Sequence, residues 1–166
     1  TAKGRQKDCD ARWTKKNTET HHGYKNHTKV DAKSKFVLSY KSTAASVHYS
    51  QVLEDLIDDE DEAVFADSAY TSKYSDERLL KNGCQNFIQF KAQYRYLLTT
   101  KEMTTNKLRR RIRVRCEYIF GRMGQMALDR LRSIGLARAN QHIGLSNLVY
   151  NMERYAFLCK KTSNQA

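Results

Sequence analysis

The chain has no proline, one tryptophan and seven glycines in 166 residues, and no low-complexity run divides it. Nothing in it therefore reads as a linker between separate domains, and no internal repeat points to a solenoid. No apolar run approaches the roughly 20 residues needed to cross a bilayer. The opening Thr1–Lys7 lacks the apolar core of a signal peptide. The four cysteines (Cys9, Cys84, Cys116, Cys159) are scattered without a C-x-x-C pair, so reduced thiols are expected. A zinc site built from Cys9, His21, His22 and His27 would match no standard ligand spacing. The first residue is threonine rather than methionine, and a fragment or a processed chain is expected.

What the chain has in excess is positive charge. Thirty Lys and Arg face eighteen Asp and Glu, a net +12, in a polar sequence of mean hydropathy -0.77 and one domain's length. Seven of the acids (Glu54, Asp55, Asp58, Asp59, Glu60, Asp61, Glu62) share one short segment, so the rest of the chain is still more basic. That segment lacks the alternating register of a calcium loop and reads as a solvated face. A balance of this kind favours a polyanionic partner, nucleic acid or an anionic membrane surface.

In chain order, residues 1–17 read as a basic irregular arm, 18–160 as the domain and 161–166 as a tail. Tyr24–Val30 and Phe36–Tyr40, joined by a short polar connection of five residues, predict an antiparallel hairpin decorated with lysines, Lys25 among them. Val47–Ile57 carries a helical stripe of Val52, Leu53, Leu56 and Ile57. Ala63-Val64-Phe65-Ala66 is too short for a helix and reads as a buried strand, with Asp67 at its C-terminal end. That is where open α/β sheets place ligands, although Asp67 capping the next turn is an equal alternative.

Ser75–Asn82 predicts a helix stopped by Gly83, and Asn86–Phe90 a further strand. Lys91–Thr105 reads as a loop, whose Tyr94, Arg95 and Tyr96 offer either base stacking or ordinary surface packing. Asn106–Ala127 has the clearest period, with Leu108, Ile112, Cys116, Ile119, Met123 and Met126 on one stripe. Glu117 falls off that stripe, on the side of Arg110 and Arg113. Gly121 and Gly124 each cost about 1 kcal/mol in a helix, which calls for close packing of another backbone or of a nucleic-acid strand. Lys107, Arg109, Arg110, Arg111, Arg113 and Arg115 form a block with no intervening acid, suited to phosphates. Arg138–Leu158 predicts a last helix with Leu145, Leu148, Val149, Met152 and Tyr155 on one face.

An acid at a strand end and a glutamate on an arginine-rich helix suggest divalent-metal chemistry on phosphodiesters. Magnesium takes oxygen ligands, and paired ions steady both the attacking and the leaving oxygen. The sequence offers two convincing carboxylates for such a centre, Asp67 and Glu117. Short motifs sharpen this: Asp8-Cys9-Asp10-Ala11-Arg12-Trp13-Thr14-Lys15-Lys16, Gly23-Tyr24-Lys25-Asn26-His27, Thr43-Ala44-Ala45-Ser46-Val47-His48 and Ala66-Asp67-Ser68-Ala69-Tyr70. Arg113-x-x-x-Glu117 with Phe120-Gly121, then Gly135-Leu136-Ala137-Arg138 and Asn147-Leu148-Val149-Tyr150-Asn151, follow in order.

Together these resemble the catalytic domain of DDE-type transposases of bacterial insertion sequences, over roughly Asp8 to Arg154. The resemblance implies an α/β, ribonuclease H-like mixed sheet flanked by helices, with Asp67 and Glu117 as the second and third acids and Arg113 as partner. It implies two Mg2+ or Mn2+ ions, DNA as substrate, a homodimer on DNA, and a cytoplasmic, nucleoid-associated protein.

The family's first aspartate and its strand precede the Asp8–Trp13 motif and are absent here. Neither Asp10 nor Asp31 matches that aspartate's motif, so this chain alone is expected to fold poorly and not to cut DNA. Tyr49, Gly124 and Arg110 depart from the family pattern, and Arg122 is the candidate to make up for the lysine that Gly124 replaces. Lys25, Lys107, Arg109, Arg110, Arg111, Arg113 and Arg122 are the candidate DNA contacts. The competing reading is a non-catalytic DNA-binding remnant of a decayed transposase. An RNA-binding module is disfavoured because no aromatic RNP-type motif occurs.

Overall fold

The computed structural model describes residues 7–16, 18–92 and 96–163. Tyr94 and Arg95, the first six residues of the expected arm and the last three of the expected tail lie outside them. The chain divides into two compact units, one of residues 1–47 and 118–166 and the other of residues 48–117.

In the first unit, three antiparallel strands lie in the order β1 (Arg12–Lys16), β2 (Glu19–Val30), β3 (Val37–Ala44). The hairpin forms from the two expected runs, with Tyr24 opposite Ala44 and Val30 opposite Val37. Its turn is closed by Asp31, whose carboxylate accepts from the Ser34 backbone N–H at 2.6 Å. Arg12–Lys16 is a strand rather than part of an irregular arm. Trp13 pairs with His22 in the ladder and their rings meet at 4.8 Å, a cross-strand contact that an isolated arm could not make.

His27 is buried in this sheet, its Nε2 2.9 Å from the Thr43 hydroxyl. Burial, with Lys25 adding to it, pushes its pKa down to about 4. The folded state thus holds the ring neutral, while the unfolded chain takes up a proton near pH 6.5. The stabilisation is complete above that pH and is lost as the pH falls towards 4. Urea unfolding at pH 7 and pH 4.5 is expected to differ by roughly 2–3 kcal/mol from this group, and His27→Gln to flatten that slope.

The last helix, here α3, runs over Leu136–Ser163. It buries the face opposite to the apolar one read from the sequence. Ala139, Ile143, Ser146, Asn147 and Tyr150 are buried, whereas Leu145, Leu148, Val149, Met152 and Tyr155 are exposed. The reason is a row of asparagines. Asn151 accepts from the Val37 N–H and donates to the Val37 carbonyl, both at 2.9 Å. Asn147 accepts from Asn26 at 3.1 Å, and Asn140 accepts from the Ser42 hydroxyl. Tyr40 lies against the helix at Gly144, where an added Cβ would overlap its hydroxyl. Side-chain amide bonds to the hairpin, to its backbone at Val37 and to side chains at Asn26 and Ser42, set the docking face, and hydropathy alone does not show them.

The start of α3 is held by the segment before β1. Asp8 accepts from the Gly135 N–H at 3.1 Å and Asp10 from the Leu136 N–H at 2.9 Å, satisfying donors that a helix start leaves free. The Tyr24 hydroxyl, 2.6 Å from Asp8, does most to hold that carboxyl down at about 2. The core of this unit gathers Val37, Ile119, Met123 and Tyr150.

The second unit holds a parallel pair, β4 (Ala63–Val64) with β5 (Gln85–Asn86), joined through α1 (Lys73–Lys81). The strands are shorter than expected, but the extended backbone continues: Phe87 N–H donates to Val64 O and Gln89 N–H to Ala66 O. Ser72 caps α1 at the Ser75 N–H, and Gly83 follows the helix with φ +66°, a conformation a side chain would disfavour. Leu53, Ile57, Leu79, Cys84 and Ile88 form its core.

The expected Val47–Ile57 helix is instead two 3-10 turns, Tyr49–Gln51 and Leu53–Asp55. Its apolar residues are buried as the stripe requires, but the acids from Asp55 onward would sit at the C-terminal end of an α-helix, where its dipole repels them.

The long helix α2 spans Thr100–Gln125, and the division between the units falls within it, after Glu117. It starts inside the expected loop because Thr99 and Glu102 make a reciprocal cap. Glu102 accepts from the Thr99 N–H at 2.8 Å, and Thr99 Oγ1 accepts from the Glu102 N–H at 3.3 Å. Of the expected stripe, Ile119 and Met123 are buried, whereas Leu108 is exposed. An added Cβ at Gly121 would meet nothing, so close packing does not explain that glycine.

Candidate functional site

Asp67 leaves the extended segment that follows β4 and precedes a 3-10 turn, Ser68–Tyr70. Its backbone carbonyl accepts from the Tyr70 N–H at 3.0 Å, but its side chain makes no capping bond. Among the described residues the carboxylate accepts from the adjacent Ser68 hydroxyl at 3.2 Å and is otherwise turned to Arg113. The capping alternative thus does not account for it.

Glu117 lies one turn after Arg113 on α2. The Arg113 guanidinium spans the pair: Nη2 is 2.7 Å from Glu117 Oε1, and Nη1 is 3.6 Å from Asp67 Oδ2. Two acids fifty positions apart in sequence therefore meet on one cation, within the second unit. The two carboxylates are about half exposed, at 47% and 50%, while the Arg113 side chain is 20% exposed beneath them. Arg113 Nε is buried and has no acceptor among the described residues.

Tyr70 and Cys116 form the floor beside Asp67. Burial raises the pKa of both, with Tyr49 adding to the effect on Tyr70. The rings of Tyr49 and Tyr70 meet edge-on at 5.2 Å.

The expected basic contacts divide by what they touch. Lys107, Arg110 and Arg111 are exposed on α2, with no ion-pair partner among the described residues. By helical spacing, Arg110 lies on the Glu117 side. Arg109 is engaged elsewhere: it donates to the Ile88 carbonyl and lies over the Phe90 ring at 4.4 Å. In the first unit, Lys25 donates to the Val47 carbonyl at 2.8 Å, and Arg122 is chelated by Glu153. These three candidate DNA contacts therefore each have a partner within the chain. Acceptors that come from distant residues cannot be read from charge spacing.

As ligands, Asp67 and Glu117 suit a hard divalent cation, which needs one or two carboxylates and completes its shell with water and phosphate. Their half-exposure leaves room for that shell. Among the described residues no third His, Cys, Asp or Glu joins them, and none of the zinc candidates cluster. No described helix is long and apolar enough to cross a membrane.

Comparison with known proteins bears on the same residues. The chain is 29% identical over 153 residues to the transposase for insertion sequence element IS1106 of Neisseria meningitidis serogroup B. The aligned part is 90% of this chain and 53% of that protein, so the chain spans about half the length of its relative. No solved structure matches. Residues 1–152 match the Transposase DDE domain family, a span that takes in Asp67, Arg113 and Glu117, and the chain belongs to that family.

Proposed function

We propose that this chain carries part of the catalytic centre of an insertion-sequence transposase. In this reading the architecture is ribonuclease H-like, and Asp67 and Glu117 would hold Mg2+ or Mn2+ for chemistry on a DNA phosphodiester at the element's end. The observation that carries it is the convergence of both carboxylates on the Arg113 guanidinium. A bound ion supplies an activated hydroxyl and relief of charge at the phosphate. Asp67 and Glu117 orient it, one from the end of an extended segment and one from a helix. Lys107, Arg110 and Arg111 meet the backbone phosphates beside the scissile bond.

Water opens the bond at the element end, and the freed 3′-hydroxyl then attacks target DNA. The working species is a homodimer on DNA in the bacterial cytoplasm, associated with the nucleoid. Two ions side by side need more carboxylates than this pair, so the chain alone is expected to bind DNA without cutting it. Magnesium-dependent nicking of element ends, measured for this chain and for one extended upstream to supply a further acid, tests the proposal. Cleavage by the extended form alone is expected. Robust cleavage by the short form, or none by either, would overturn it.

A further inference from the structure

We propose that Arg113 is the resident counter-ion of the Asp67–Glu117 pair: it holds the place between the carboxylates that a divalent cation takes, and it swings off them when the ion arrives. This rests on the reading of the pair as cation ligands. The geometry is that of a stand-in rather than a fixed strut. Each end of the guanidinium meets a different carboxylate through a single oxygen, and the Asp67 contact at 3.6 Å is an ion pair beyond hydrogen-bond length. A bidentate fork on one acid would be the stable structural form. Arg113 Nε is buried without an acceptor among the described residues, so the pair does not engage the whole guanidinium.

Charge gives the direction. Two carboxylates held together repel, and one guanidinium offsets half of their charge. A divalent cation offsets all of it, so with both present the site is overcharged and Arg113 is the group free to leave. Its stem stays packed while its tip moves. The released fork, with Nε also needing an acceptor, matches a phosphate. Capture of the cation and of DNA are then linked, and the linkage acts equally in both directions.

The test is Mn2+ titration of the 166-residue chain followed by electron paramagnetic resonance, with and without a short duplex. Arg113→Gln is expected to bind Mn2+ about tenfold more tightly than wild type without DNA, and Arg113→Lys to fall between them. Duplex DNA is expected to tighten Mn2+ binding several-fold in wild type and to leave Arg113→Gln unchanged. Unchanged or weaker Mn2+ binding by Arg113→Gln would overturn the inference, provided Asp67→Asn loses the ion. If Asp67→Asn binds Mn2+ as wild type does, the ligand reading itself fails. Should the Arg113 variants not fold, the wild-type Arg113 Nε–H resonance decides. It is expected to shift on adding Mg2+, and a signal that stays put refutes displacement.

Discussion

Asp67→Asn is expected to lower metal-dependent cleavage of element ends by about a thousandfold or more, in any form of the protein that cuts. The amide fills the same space but offers no charge to a divalent cation, so what is lost is transition-state stabilisation, roughly 4 kcal/mol at that rate ratio. Folding should survive. The side chain is about half exposed and makes one ion pair at 3.6 Å, a contact contributing no more than about 1 kcal/mol. Without divalent metal, DNA affinity should change less than about twofold, because the exposed cations of α2 are untouched. Glu117→Gln is expected to behave in the same way. Cleavage and gel-shift assays on one preparation separate the two readings: a DNA-binding remnant would show no cleavage in wild type and the same affinity in both proteins.

Tyr150→Ala is expected to cost roughly 4 kcal/mol of folding stability, measured by urea unfolding. Tyr150 is 1% exposed, packs with Val37, Ile119 and Met123, and donates from its hydroxyl to the Lys35 carbonyl at 3.0 Å. Truncation leaves a cavity the size of a ring and an acceptor without its donor. Tyr150→Phe keeps the ring and should cost about 1 kcal/mol. If the alanine variant lost less than that, the core assigned to the first unit would be wrong.

The hairpin, α1 with its Gly83 stop and the position of Asp67 after an extended segment were legible because short-range signals specify them. Two β-prone runs with a short polar connection, a cap and a length limit are all local. The start of α2 was equally local but overlooked, since Thr99-x-x-Glu102 is a capping box within a polar stretch. The face of α3 was not legible at all. Its outer residues are as apolar as a core face, and what chooses the inner one is where Asn140, Asn147 and Asn151 find partners on the hairpin. For the site, sequence named the two acids and their arginine. Which neighbouring cations were already engaged depended on Ile88, Val47 and Glu153, and no spacing rule points to those.

One of those asparagines sets a limit on motion. Because Asn151 grips both polar groups of the Val37 peptide backbone, the helix is indexed to a single residue of β3, as a pawl is to one tooth. Sliding by one residue would strand two backbone groups at once. Shear of helix over strand is therefore closed to this pair, and any rearrangement of it must turn as a rigid block about its ends.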